Sequence, residues 1–196
     1  MAWTYTQNFD SLTDGDLNGQ DSWSGDVSFD VQTTTVLQGT KSIGTVENSE
    51  VNIDRTITAV TEGIVSCKLR LTTTSNLNCF VQFYEGASYK FDVGLASNGN
   101  AYVRGATNEI LGTFSANTTH TFDAEFDVAT DQVRGRLDGG TWSAWVNFAS
   151  AATQIDKIKL SKQNNGTQGA YFDDIKSGAV VATVPSKPTL LTLNVG

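Results

Sequence analysis

The segment His120–Trp142 reads HTFDAEFDVATDQVRGRLDGGTW. In it Phe122, Ala124, Phe126 and Val128 alternate with Thr121, Asp123, Glu125 and Asp127. An alternation of period two predicts a strand with one buried face. Ala129-Thr130-Asp131 supplies turn residues. Val133, Gly135 and Leu137 then alternate with Gln132, Arg134 and Arg136 up to the Asp138-Gly139-Gly140 turn. Two antiparallel strands and a second tight turn are expected. The same pattern predicts strands over Trp3–Phe9, Val27–Gln32, Lys41–Val46, Val51–Ile57, Ile64–Leu71, Ser75–Gln82 and Tyr89–Leu95. Further strands follow over Asn100–Arg104, Glu109–Gly112, Trp142–Phe148, Ile155–Leu160 and Ala170–Lys176. Short strands at this density, with turn signals about every eight to twelve residues, describe an all-β antiparallel two-sheet sandwich, a jelly roll. No stretch carries a helical period, and no long repeat suggests a propeller or solenoid.

Cys67 and Cys79 enter through this pattern. A hairpin centred on Thr73 would set Val65 opposite Val81, Cys67 opposite Cys79 and Leu69 opposite Leu77, all on the apolar face. Two reduced, buried thiols or a cross-strand disulfide both satisfy that register. Two cysteines and one histidine do not make a zinc site.

The 196 residues suit one sandwich over 1–177, with 178–196 as an extended arm or linker. In that arm, AVVATVPSKPTLLTLNVG, two apolar runs flank a Pro-Ser-Lys-Pro spacer. It either covers its own sandwich or docks on a neighbouring subunit by strand addition, with Leu191, Leu193 and Val195 filling pockets. A formal net charge of −8 argues against nucleic acid and anionic membrane as partners, and leaves neutral glycans, cations and basic protein surfaces. MAWTYTQNFDSL shows no basic segment followed by an apolar run, so no signal peptide is expected in this chain.

The His120, Phe122, Asp131, Val133, Leu137, Asp138 and Gly139 pattern resembles a segment of concanavalin A-like lectin/glucanase domains, including laminin-G-like modules. Gly39–Ile43 and Gly63–Arg70 resemble two other strands of that superfamily, although Lys68 or Leu69 stands where a Trp is expected. Tyr171–Ile175 is similar to the closing strand of jelly-roll carbohydrate-binding modules. The resemblance spans about residues 5 to 177 and implies the fold rather than one activity. In similar modules a structural calcium lies between the N-terminal and closing strands. This implies Ca²⁺ at Asp10 and Asp174, with Asp173 nearby, since carboxylate and carbonyl oxygens suit a hard cation. The loop with Asp14, Asp16, Asn18 and Asp21 reads as a solvated turn.

Asp123, Glu125 and Asp127 repeat on one strand face about 7 Å apart, a separation within the range of glycosidase acid pairs. The glucanases of the superfamily carry E-x-D-x-x-E, which D-x-E-x-D does not match. These acids therefore read as a solvent face, and the chain is expected to be non-enzymatic. Sugar binding needs exposed flat aromatics with polar groups beside them. The candidates are Trp23, Phe80, Gln82, Tyr84, Trp142 and Trp145.

Two functions follow as expectations. One is a structural or decoration protein of an extracellular particle such as a phage virion, self-associating or attached to capsid or tail through its arm, with a jelly roll displayed outward at the virion surface. The other is a carbohydrate-binding module of a secreted polysaccharide-degrading enzyme or adhesin.

Overall fold

A computed structural model describes residues 3–163 and 168–178. Among them the chain forms strands and no helix. In chain order these are β1 (Gly15–Asp16), β2 (Trp23–Gly25), β3 (Asp30–Gln32), β4 (Ser42–Thr45), β5 (Val51–Val60), β6 (Glu62–Leu71), β7 (Asn78–Glu85) and β8 (Ser88–Leu95). They continue with β9 (Asn100–Arg104), β10 (Asn108–Thr113), β11 (His120–Asp127), β12 (Gln132–Leu137), β13 (Val146–Asn147), β14 (Ile155–Gln163) and β15 (Ala170–Ser177). One sheet has eight strands in the order β1-β3-β4-β15-β6-β11-β12-β13, and the other has seven in the order β10-β9-β8-β7-β14-β5-β2. Every pairing is antiparallel. The expected two-sheet sandwich is the observed architecture.

Alternation decides what each sheet turns inward. β11 buries Phe122, Ala124 and Phe126, β7 buries Cys79, Val81 and Phe83, and β8 buries Phe91, Val93 and Leu95. Phe91 sits at the centre, stacked on Phe83 at 4.5 Å and on Phe148 at 5.2 Å, and it meets Phe126 of the opposite sheet at 5.4 Å. Trp3 closes this cluster edge-on to Phe83 and Phe126. The expected hairpin around Asp131 is present, with Phe122 opposite Leu137 and Phe126 opposite Val133.

Three expectations need correction. β6 and β7 do not form a hairpin: β6 pairs with β11 and β15, and β7 pairs with β8 and β14. The segment between them crosses from one sheet to the other, and apolar faces match in either arrangement because both look into the core. Cys67 and Cys79 are free, buried thiols, and burial pushes both up in pKa. Secondly, Trp3–Phe9 makes a single bridge, Gln7 to Ile175, rather than a strand. Phe9 has φ near 60°, which ends the extended run. Thirdly, only Val146–Asn147 of the expected Trp142–Phe148 strand pairs. Before it, Ser143 is tied to Gly135 through both its backbone and its hydroxyl, so the chain runs irregularly. At the rims the sheets end on two-residue strands β1 and β13, on three-residue β2, and on β10, whose register shifts between Ile110 and Gly112. Leu191, Leu193 and Val195 lie outside the described residues.

Because Phe91 contacts aromatic rings of both sheets, Phe91→Ala is expected to lower the unfolding free energy by about 3–5 kcal/mol. Chemical denaturation followed by tryptophan fluorescence checks this.

Candidate functional site

The outward face of the seven-stranded sheet is assembled from the positions that alternate with the core residues of β5, β14, β7, β8, β9 and β10. Strand register sorts them into three rows across the sheet. The middle row runs Asp54, Lys159, Gln82, Asp92, Arg104, Asn108. On one side lies Thr56, Lys157, Tyr84, Tyr89. On the other lies Asn52, Ser161, Phe80, Gly94, Tyr102, Ile110. A polar and charged row is thus flanked by two rows that carry aromatics.

The middle row is tightly held. Asp92 is fully buried, and Arg104 grips it with two parallel bonds, Nε to Oδ1 at 2.8 Å and Nη2 to Oδ2 at 2.6 Å. Tyr89 Oη adds a third bond at 3.0 Å. Burial still raises the Asp92 pKa, against the lowering effect of Arg104. The guanidinium lies 3.8 Å over the Phe80 ring. A Cβ at Gly94 would fall 2.2 Å from that ring, so only glycine lets Phe80 lie flat there. Further along, Lys157 pairs with Asp54 at 3.1 Å, and Lys159 Nζ sits 4.7 Å over the Tyr84 ring. Tyr102 Oη accepts from Asn98 and Asn100. A cavity of about 340 Å³ opens here, lined by Gln82, Tyr84, Tyr89, Arg104, Gly105, Asn108 and Gln163.

The expected sugar-contacting residues separate on this map. Gln82 and Tyr84 belong to the face and line its cavity. Phe80 belongs to it by register but is 1% exposed, because Arg104 covers its free side; it is the floor beneath the guanidinium rather than a stacking surface. Trp23 is also 1% exposed and packs on Phe9, so it offers no ring face. Trp142 and Trp145 lie outside the opposite sheet, Trp145 at 39% exposure, with Arg134 between them at 5.0 and 4.7 Å and Arg136 also over Trp142. Tyr89, Tyr102 and Arg104 were missed by sequence reasoning. For Tyr102 and Arg104 the signal was the alternation in β9 with Ala101 and Val103. Tyr89 was expected to face the same way as Phe91, Val93 and Leu95; it reaches the outer face instead because the pairing of β7 with β8 shifts register between Phe83 and Tyr84.

The acids of β11 point away from this face. Asp123 bonds Arg136 at 2.7 Å, Glu125 bonds Arg134 at 2.5 Å, and Asp127 caps the Ala129 amide. They form an ion-paired outer ladder of the eight-stranded sheet rather than a freely solvated one.

The calcium candidates are redistributed by a bulge. Asp174 has φ near 51° and the register of β15 shifts after Asp173, so strict alternation fails there. Asp173 turns inward and accepts from the Gln38 and Asp174 amides, while Asp174 pairs with Lys176 at 2.7 Å. Asp10 accepts from the Thr40 and Lys41 amides of the same loop, at 2.7 and 2.9 Å. Asp10 and Asp173 therefore converge on residues 38–41. Burial pushes Asp173 up to about 7, and Asp174 and Asp10 add to the shift. Among the described residues no cluster of three or more His, Cys, Asp or Glu has metal-binding geometry.

No protein-family model and no curated protein matches the sequence. Solved structures do match. A sialidase superposes with TM-score 0.71 at 14% identity, over 91% of this chain and 19% of the sialidase chain. An endo-1,3-β-glucanase (laminarinase) catalytic domain from Thermotoga petrophila gives 0.61 at 10% identity, over 89% and 96%. A Bacteroides ovatus mixed-linkage-glucan GH16 protein in complex with its product gives 0.62 at 10%, over 88% and 98%. The fold is a concanavalin A-like jelly-roll sandwich. This overturns the expectation of a non-enzymatic chain, because glucanases and a transglycosylase share the sandwich over most of their length. The mismatch of D-x-E-x-D concerned a strand of the other sheet and carried no weight for this face.

Because Arg104 neutralises a fully buried carboxylate, Arg104→Met is expected to cost about 3–5 kcal/mol of stability. Adding Asp92→Leu should restore most of it, since the uncompensated charge is then gone. Urea unfolding of the single and double variants checks both.

Proposed function

We propose that the chain is a glycan-binding module of a polysaccharide-acting protein, with the glycan lying across the outward face of the seven-stranded sheet. The observation that carries this reading is the three-row arrangement: Gln82, Arg104 and Asn108 offer donors and acceptors, while Tyr84, Tyr89 and Tyr102 offer ring surfaces on either side. Saccharides present apolar CH faces with polar rims, and such a face answers both. The likeness to glucanases and a transglycosylase supports it. So does the match to about a fifth of a sialidase chain, as expected of one module in a longer protein. The decoration reading depended on the arm 178–196, whose assembly residues lie outside the described residues, and no structural neighbour supports it.

A second reading, that the chain also cleaves the glycan it holds, is supported by the same glucanase and transglycosylase likeness. Its expected outcome is release of reducing ends from a glycan panel. For the binding reading, Tyr84→Ala and Tyr102→Ala should each weaken glycan affinity by about tenfold, from lost ring contact, with melting temperature nearly unchanged. Isothermal titration against the same panel decides, and full affinity in both variants would move the glycan elsewhere.

We also propose that Asp10 and Asp173, with oxygens of the loop 38–41, hold a structural Ca²⁺. A cation there would compensate the buried Asp173 carboxylate. Exhaustive chelation should lower the melting temperature, and added Ca²⁺ should restore it in proportion to its occupancy. An unchanged melting curve after verified metal removal contradicts the site.

A further inference from the structure

We infer that the glycan taken by this face is anionic, built from carboxylated sugars of the uronic acid class. The inference rests on the glycan-binding reading above and names its substrate class. It starts from a local departure in charge: the chain carries −8 overall, whereas the sheet face carries Lys157, Lys159 and Arg104 against Asp54 and Asp92.

What a ligand meets there is more positive than that count. Asp92 is fully buried, while its partner Arg104 keeps 27% of its side chain exposed. Solvent therefore reaches the guanidinium and not the carboxylate. A guanidinium has five N–H donors; Arg104 gives Nε and Nη2 bonds to Asp92 and has Tyr89 beside it as a further partner, which leaves Nη1 as the edge open to an anion. The Phe80 ring beneath and Asp92 beside it fix the plane of the group, so little side-chain entropy is lost on binding. Asp54 and Lys157 cancel one another at 3.1 Å. Lys159 pairs with no carboxylate among the described residues; its ammonium rests on Tyr84 at 4.7 Å, in the same row as Gln82 and Arg104.

Lys159 and Arg104 stand three strands apart, roughly 14 Å between Cα atoms at the usual strand spacing. Gln82 lies between them, and tyrosines lie on both sides of the row. That pattern suits an oligosaccharide with more than one acidic ring, its carboxylates drawn to the two cations and its CH faces against Tyr84 and Tyr102. A planar carboxylate, which accepts two N–H bonds side by side, is the anion best matched to the remaining edge of a fixed guanidinium.

The test is isothermal titration of the full chain with trigalacturonate, with its uncharged counterpart galactotriose, with a sulfated galactotriose, and with citrate as a non-sugar tricarboxylate. The uronate should bind roughly tenfold or more tightly than galactotriose, with an affinity that falls as salt rises. Lys159→Gln should remove about tenfold of the uronate affinity while changing galactotriose affinity far less and leaving the melting temperature nearly unchanged. Equal affinity for the charged and uncharged trisaccharides, or no effect of Lys159→Gln, overturns the charge assignment and leaves the glycan face standing. Tighter binding of citrate or of the sulfated sugar overturns the carboxylated-sugar class. Absence of binding to all of these and to the wider glycan panel removes both this inference and the reading beneath it.

Discussion

The contact between Phe91 and the rings of Phe83, Phe148 and Phe126 sets how the two sheets face each other, and the rest of the molecule follows from it. Once these rings claim the interior, the pleat leaves no choice about the opposite positions. Gln82, Asp92 and Arg104 are neighbours on the outside because Val81, Val93 and Val103 are neighbours on the inside. The candidate face is thus the complement of the core.

Much of this was legible in the chain. The alternation of Phe122, Ala124 and Phe126 with acids placed β11, and the Asp131 and Asp138 turns placed its hairpin. The outward position of Gln82 and Tyr84 was legible because β7 carries large side chains on both faces. The partition of strands between sheets was not legible. Cys67 and Cys79 fit one hairpin as well as two opposed sheets, since period two reports facing and not partner. The bulge at Asp174 was equally hidden, because a single residue of positive φ exchanges the roles of two adjacent aspartates without changing composition. Phe80 shows the same limit: its burial comes from Arg104, two strands away.

The charge distribution separates two scales that a net charge merges. Asp123 and Glu125 are spent on Arg136 and Arg134 outside one sheet, while Asp92 is withdrawn beneath Arg104 outside the other. The first arrangement braces a surface ladder under Trp142. The second turns an acid into a support that holds a base in place, so a chain acidic in total presents the Arg104 cation where its cavity opens.

The rims carry a different consequence. A sheet edge with free amides and carbonyls is a template on which another copy can add, and long flat edges lead to fibrils. Here one sheet ends on the two-residue strands β1 and β13, and the other on three-residue β2 and the kinked β10. Among the described residues these edges are short or kinked, so the sandwich exposes little continuous backbone on which a second copy could add strand by strand.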